Sequence, residues 1–244
     1  MNIETAGIAL MKSDRELKQD ITDELEWEPG VPSAHIGIEV DEGIVTLTGH
    51  VDSYTQKCAA EQAALRVLGV RGVVLRIDVE LPHERRRTDE DLARAVCHAL
   101  EWNDAVPAGR VRPSVQAGWV KLKGEVESAD QRWATVAAVR DIVGVAGIHD
   151  CIEIKPHAAP APVQEIKRLI EAALRRHAHV DAGAIKVELD DDEVVLSGPV
   201  ASHAERVAAC DAAWRAPGVR NVIDAMWVMQ PSQPSPSTKH MEVG

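Results

Sequence analysis

The sequence predicts an α+β fold: three tandem αββαβ units, each a three-stranded mixed sheet with two helices on one face. Three observations carry this prediction. The stretch Val45-Thr46-Leu47-Thr48-Gly49-His50-Val51 returns as Val120-Lys121-Leu122-Lys123-Gly124-Glu125-Val126 and again as Val194-Val195-Leu196-Ser197-Gly198-Pro199-Val200. Apolar residues alternate along each copy with the period of a half-buried strand. An ungapped offset of 75 residues lays the first copy on the second, and 74 lays the second on the third, a period that means an array of domains. Each copy is followed by a capping-box pattern, Ser53 with Gln56, Ser128 with Gln131 and Ser202 with Glu205, in which the serine caps a helix and the residue three later reaches back.

Each unit opens with a helix whose core face is Leu17, Ile21 and Leu25, then Leu92, Val96 and Leu100, then Ile166, Ile170 and Leu174, always four apart. Asp14 and Asp89 sit at its start, suited to capping and to the helix dipole. A first strand follows through Ile36, Ile38 and Val40; Val111, Pro113 and Val115; Ile185, Val187 and Leu189. The turns Asp41-Glu42-Gly43 and Gln116-Ala117-Gly118 end in a glycine suited to positive φ, where the third copy has Asp190-Asp191-Asp192.

The repeated strand returns antiparallel. Its glycines Gly49, Gly124 and Gly198 mark a bulge or a close backbone approach, and are read as strand exits that let the next helix fold back. That helix, capped by Ser53, Ser128 or Ser202, has a small inner face at Ala59 and Ala63, Ala134 and Ala138, Ala208 and Ala212. It stops at Gly69, Gly144 or Gly218, each followed by valine. The last strand runs through Val73, Ile77 and Val79; Ile148, Ile152 and Ile154; Val222, Met226 and Val228.

These elements place an N-terminal segment at 1–12 and the first unit at 13–82. A linker at 83–87, the second unit at 88–156 and a proline- and alanine-rich linker at 157–162 follow. The third unit occupies 163–230, and the prolines and serines of 231–244 predict a disordered tail. Phe is absent and Tyr occurs once, so the cores must be aliphatic, with six Trp as the only large aromatics. Units of this size are marginal alone, which favours packing between them.

Net charge is −12, of which the first unit carries −8, the second −1 and the third −3 when residues 83–157 and 158–230 are counted with the latter two. An acidic chain argues against general nucleic-acid binding, whose affinity rests on neutralising phosphates. No signal-peptide pattern and no transmembrane segment are read, so the expected localisation is cytoplasmic, peripheral to a membrane at most. Cys58, Cys97, Cys151 and Cys210 occupy non-equivalent positions and form no C-x-x-C pair; they are read as small buried apolar residues.

The first helix, the I-x-V strand, the G-x-V-x-L-x-G-x-V strand, the serine-capped alanine-rich helix, G-V and the final V-x-V strand together resemble the BON domain (bacterial OsmY and nodulation), in three copies over residues 13 to 230. The resemblance implies an αββαβ fold and no known catalytic activity; no cofactor is expected. It further implies a role in osmotic or envelope stress, with binding to phospholipid membranes or other hydrophobic surfaces. Potassium binding by some members makes an ion- or ligand-responsive protein one alternative, and a protein-interaction scaffold another.

Residue by residue, catalysis has little support: no nucleophile elbow, phosphate loop or metal-ligand cluster is present, and His177 with His179 lacks the spacing of a helical metal pair. The acidic run Asp190 to Glu193 reads as a solvated turn. Candidate lipid or partner contacts are Arg85, Arg86 and Arg87 in the linker, Arg168, Arg175 and Arg176 on the outer side of the third unit's first helix, and Trp27 and Trp102 at matching helix ends. In so acidic a chain the arginines more often serve as solubilising charges. The tryptophans are either anchors or, more commonly in so aromatic-poor a chain, amphipathic caps on a small core. The oligomeric state is left open.

Overall fold

A computed structural model of the chain describes residues 12–155, 163–176, 183–190, 193–216 and 219–229. The expectations placed on Gly218, His177, His179, Asp191, Asp192, the linker 157–162 and the tail 231–244, and on the N-terminal segment up to residue 11, lie outside them. Three units recur, each a helix, two strands, a second helix and a third strand.

The first helices are α1 (Asp14–Trp27), α3 (Asp89–Glu101) and α5 (Val163–Arg176). Their i, i+4 stripes Leu17, Ile21, Leu25; Leu92, Val96, Leu100; and Ile166, Ile170, Leu174 are all buried. The cap lies one residue earlier than the aspartates. Ser13 and Thr88 accept the N–H of Glu16 and Asp91 with their side chains, and in α1 Glu16 completes a capping box. Freed from capping, Asp14 reaches sideways, its carboxylate accepting the N–H groups of Glu42 and Gly43, while Asp89 accepts those of Ala117 and Gly118.

The strands are β1 (Ile36–Asp41), β2 (Ile44–Val51) and β3 (Gly72–Val79) in the first unit, β4 (Val111–Gln116), β5 (Trp119–Val126) and β6 (Gly147–Ile154) in the second, and β7 (Lys186–Asp190), β8 (Glu193–Val200) and β9 (Asn221–Val228) in the third. In each sheet the repeated strand is central, antiparallel to the strand before it and parallel to the strand after it. The parallel pair requires a crossover, which the second helix supplies. Pro113, which cannot donate to a ladder, sits on the edge strand β4.

The repeated glycines do not end the strand. Pairing continues past Gly49 to Val51↔Val79, and likewise to Val126↔Ile154 and Val200↔Val228. A close backbone approach requires them instead: a Cβ at Gly49, Gly124 or Gly198 would lie 2.0, 2.1 or 2.3 Å from the carbonyl oxygen of His35, Arg110 or Ala184. Residues with side chains do not reach such separations, so glycine lets the central strand cross the entry to the first strand.

The second helices are α2 (Tyr54–Arg66), α4 (Ala129–Arg140) and α6 (His203–Trp214), with Ser53, Ser128 and Ser202 as their caps. Their buried positions are Ala60, Ala63 and Ala64; Ala129, Thr135 and Val139; and Glu205, Ala209, Ala212 and Ala213. Ala59, Ala134, Ala138 and Ala208 are only half-buried. Ala63 and Ala212 are buried as expected, and the buried face extends to the next residue along because these helices are covered by their own sheet and also meet a neighbouring unit. They also stop before the glycines: α2 ends at Arg66 and α4 at Arg140, while Gly69 and Gly144 follow in the turn with φ of +107° and +105°.

Contacts between units repeat. Tyr54 at the start of α2 packs against the core of the second unit, and the Thr55 hydroxyl is within 3.3 Å of the Arg140 carbonyl and the Asp141 carboxylate at the end of α4. At the start of α4, Asp130 pairs with Arg215 just beyond α6 at 3.8 Å, and the Arg215 guanidinium lies 5.8 Å from the Trp133 ring centre. Trp214 packs on the cores of both the second and third units. Thr55 and Asp130 are equivalent in the repeat, as are Asp141 and Arg215, so one start-to-end helix interface is used twice. Helix α2 also lies against α6.

Candidate interaction surface

The cores consume no tryptophan. All fully buried large side chains are aliphatic, Trp133 and Trp214 lie between units, and Trp119 lies on the open sheet face, stacked on His149 at 4.7 Å. Trp227 is exposed on the open face of the third sheet. The expectation that Trp27 and Trp102 cap a core is overturned: they are 84% and 86% exposed. Both sit where a first helix ends and the chain turns away, so neither ring has an element to cover it.

Trp27 shares an open groove of about 530 Å³ with Lys12, Asp20, Asp23, Glu24, Val67 and Leu68. Leu68, 57% exposed, escapes the helical stripe because α2 has already ended. Two of the carboxylates are engaged at the rim: Lys12 pairs with Asp20, and Arg66 bridges Glu24 and Glu28. Asp23 accepts from the Gln19 amide at 2.8 Å.

The matching positions of the second unit are Arg87, Ala95, His98, Ala99, Trp102, Ile142 and Val143. Trp102 and the exposed Val143 repeat the apolar pair, while alanines and a histidine replace the three carboxylates. The Arg87 stem runs beside Gly144, whose Cβ, if present, would meet the Arg87 Cβ at 3.3 Å. Arg86 donates to the Leu81 carbonyl, and Arg85 is exposed at the end of a short 3-10 turn. The linker arginines thus flank the second unit. In the third unit the tryptophan position is Arg176, which is exposed.

The other basic candidates are tied up within their own helix. Arg168 pairs with Glu165 at 2.8 Å and Arg175 with Glu171 at 3.5 Å. Glu165 is accordingly held below the usual carboxylate range by the Arg168 side chain. The candidates therefore differ in setting: exposed tryptophans and linker arginines on the first two units, and on the third Arg168 and Arg175 paired within their helix beside the exposed Arg176.

No group of three or more His, Cys, Asp or Glu residues able to hold a metal ion occurs among the described residues. Among them, too, no helix is long and apolar enough to cross a membrane. The cysteines depart from a uniform buried role. Cys58, Cys97 and Cys210 are half-buried, but Cys151 is exposed because its side chain falls on the open face of β6. Burial pushes the Cys210 thiol up to about 12, with the Asp224 carboxylate beside it, and burial also raises Cys58.

Some of this was hidden from sequence reasoning. Leu68 and Val143 carry a signal, an apolar residue directly before a turn glycine and out of step with the helix. The ion pairs Arg132–Asp150 and Arg206–Asp224, on the helix-covered side of the second and third sheets, carry another: the first unit has Lys57 and Leu75 at these positions. There Lys57 donates instead to the Ile77 carbonyl at 2.7 Å.

The family model described as BON domain matches residues 13–80, 88–156 and 162–230. No curated protein matches the chain. Among solved structures, the chain is similar to CdsD, a structural protein of the Type III secretion system of Chlamydia trachomatis, at 14% identity over 88% of this chain and 92% of that one, with a TM-score of 0.24. The C-terminal domain of the same protein gives 14% identity, 90% and 100% coverage and a TM-score of 0.24. The PrgH periplasmic domain gives 11%, 80% and 96%, and 0.21.

Proposed function

We propose, from the premise that this chain belongs to the BON domain family in three copies, that it is a non-enzymatic, stress-associated binding protein, cytoplasmic and peripheral to the membrane. It engages phospholipid membrane surfaces or other hydrophobic partners through the ends of its first helices. The observation that carries this reading is the exposure of Trp27 and Trp102 at one repeat position in two successive units. Burying a large apolar side chain gains about 2 kcal/mol, so two such rings offer a substantial share of a weak association.

The surroundings favour the second unit for the lipid contact. Trp102 and Val143 lack the carboxylates of the first groove and lie on the unit flanked by Arg85, Arg86 and Arg87. A basic side chain near an anionic leaflet contributes about 1 kcal/mol. Co-sedimentation with anionic vesicles at low salt tests the reading. Wild-type chain is expected to sediment, W102A to lose most of that binding, and W27A to lose little. A wild-type chain that stays in the supernatant contradicts the lipid reading.

A further inference from the structure

The same repeat position carries opposite electrostatics in the first unit, and this points to a second class of ligand. In the Trp27 groove Trp27, Val67 and Leu68 are bordered by Asp20, Asp23 and Glu24; Lys12 pairs with Asp20 and Arg66 with Glu24 and Glu28, so four carboxylates face two cations. The unit around it carries a net −8, the largest share of the chain's charge. Such a groove repels an anionic headgroup and attracts a cation, and the attraction adds to on-rate and partner choice. Its apolar floor runs between the end of α1 and the end of α2, which suits an anchor side chain flanked by positive charge more than a free ion.

We propose that the groove of the first unit docks a cationic amphipathic polypeptide segment, whose apolar face covers Trp27 and Leu68 while its lysines or arginines approach Asp20, Asp23 and Glu24. The proposal rests on the reading that these helix ends are binding surfaces, but it does not need lipid. The repeat supplies an internal control. Trp102 is equally exposed, yet Ala95, His98 and Ala99 stand where the first unit has its carboxylates.

The test uses the full chain and two labelled helical peptides of identical length, one of leucine and lysine and the other of leucine and glutamate, followed by fluorescence anisotropy. The leucine–lysine peptide is expected to bind at least about tenfold more tightly than its acidic counterpart, and to weaken as salt screens the carboxylates. W27A and the double variant D20N/D23N should each weaken it by about tenfold, in the range of a hot-spot truncation. W102A should leave it unchanged. Trp27, Asp23 and Trp102 are exposed, and Asp20, half-buried, keeps its shape as Asn, so thermal melts of the variants should match the wild type. Equal binding of both peptides, no binding of either, or a loss on W102A as large as on W27A would each overturn the proposal. The vesicle experiment with W102A is decided separately, so failure here leaves the lipid reading standing or falling on its own result.

Discussion

The Asp14 carboxylate accepts the backbone N–H of Gly43 at 3.1 Å, joining the first residue of α1 to the β1–β2 turn 29 positions away. Asp89 and Gly118 repeat the bond at 3.0 Å. The turns need φ > 0 at both central residues, +47° and +77° at Glu42 and Gly43, +50° and +77° at Ala117 and Gly118, the geometry of a tight hairpin. The carboxylate holds the two N–H groups such a turn leaves without a strand partner. The third unit has lost both members together, with Val163 and Asp192 at these positions. D14A and D89A are each expected to cost about 1–2 kcal/mol in urea denaturation, and D14N less than D14A.

Gly49 is expected to be far less replaceable than Gly72. G49A sets a Cβ 2.0 Å from the His35 carbonyl at a φ of +135°, whereas a Cβ at Gly72 meets nothing within 4 Å. G49A should destabilise the first unit by roughly 3 kcal/mol or more, through overpacking and backbone strain. G72A should stay within about 0.5 kcal/mol of wild type. Chemical denaturation of the two variants side by side measures the difference.

The single tyrosine reports on packing between units. Burial pushes the Tyr54 hydroxyl up to about 12 from an ordinary value of 10.0, with Cys58 close by. The folded protein therefore holds this proton more tightly than the unfolded chain. The stability this contributes is complete below pH 10 and is lost as pH rises towards 12. Phenolate absorbance should give a midpoint near 12 in the native protein and near 10 in denaturant.

Thiol labelling should separate the cysteines. Cys151 is exposed, while Cys210 is half-buried with its thiol pushed up to about 12. Since the thiolate is the nucleophile, a disulfide reagent at neutral pH should modify Cys151 first. C151S should remove that fast phase and leave slower ones that accelerate on unfolding.

Period and capping made the units legible: the i, i+4 stripes, the serine caps and the alternating central strand are local patterns, and each is found in place. What was hidden depends on pairings far apart in sequence. No local pattern shows that Gly49 must clear the His35 carbonyl, or that Asp14 serves a hairpin because Ser13 already holds the cap. Of the alanine stripe, Ala63 and Ala212 are buried as expected, while Ala59, Ala134, Ala138 and Ala208 are half-buried and the residue after each takes the inner place. At the surface, composition misled. A chain without phenylalanine suggested that its tryptophans were needed inside, yet aliphatic side chains fill all three cores and leave Trp27 and Trp102 outside.

If Trp27 and Trp102 form the proposed contacts, the tryptophan emission of wild type and of W27A/W102A will separate as anionic vesicles, and in a second titration the leucine–lysine peptide, are added. The wild-type spectrum is predicted to shift to the blue with each, as exposed indoles enter an apolar environment, while the double variant, folded with an unchanged melting temperature, shows neither shift. An equal blue shift in the folded double variant would contradict the account.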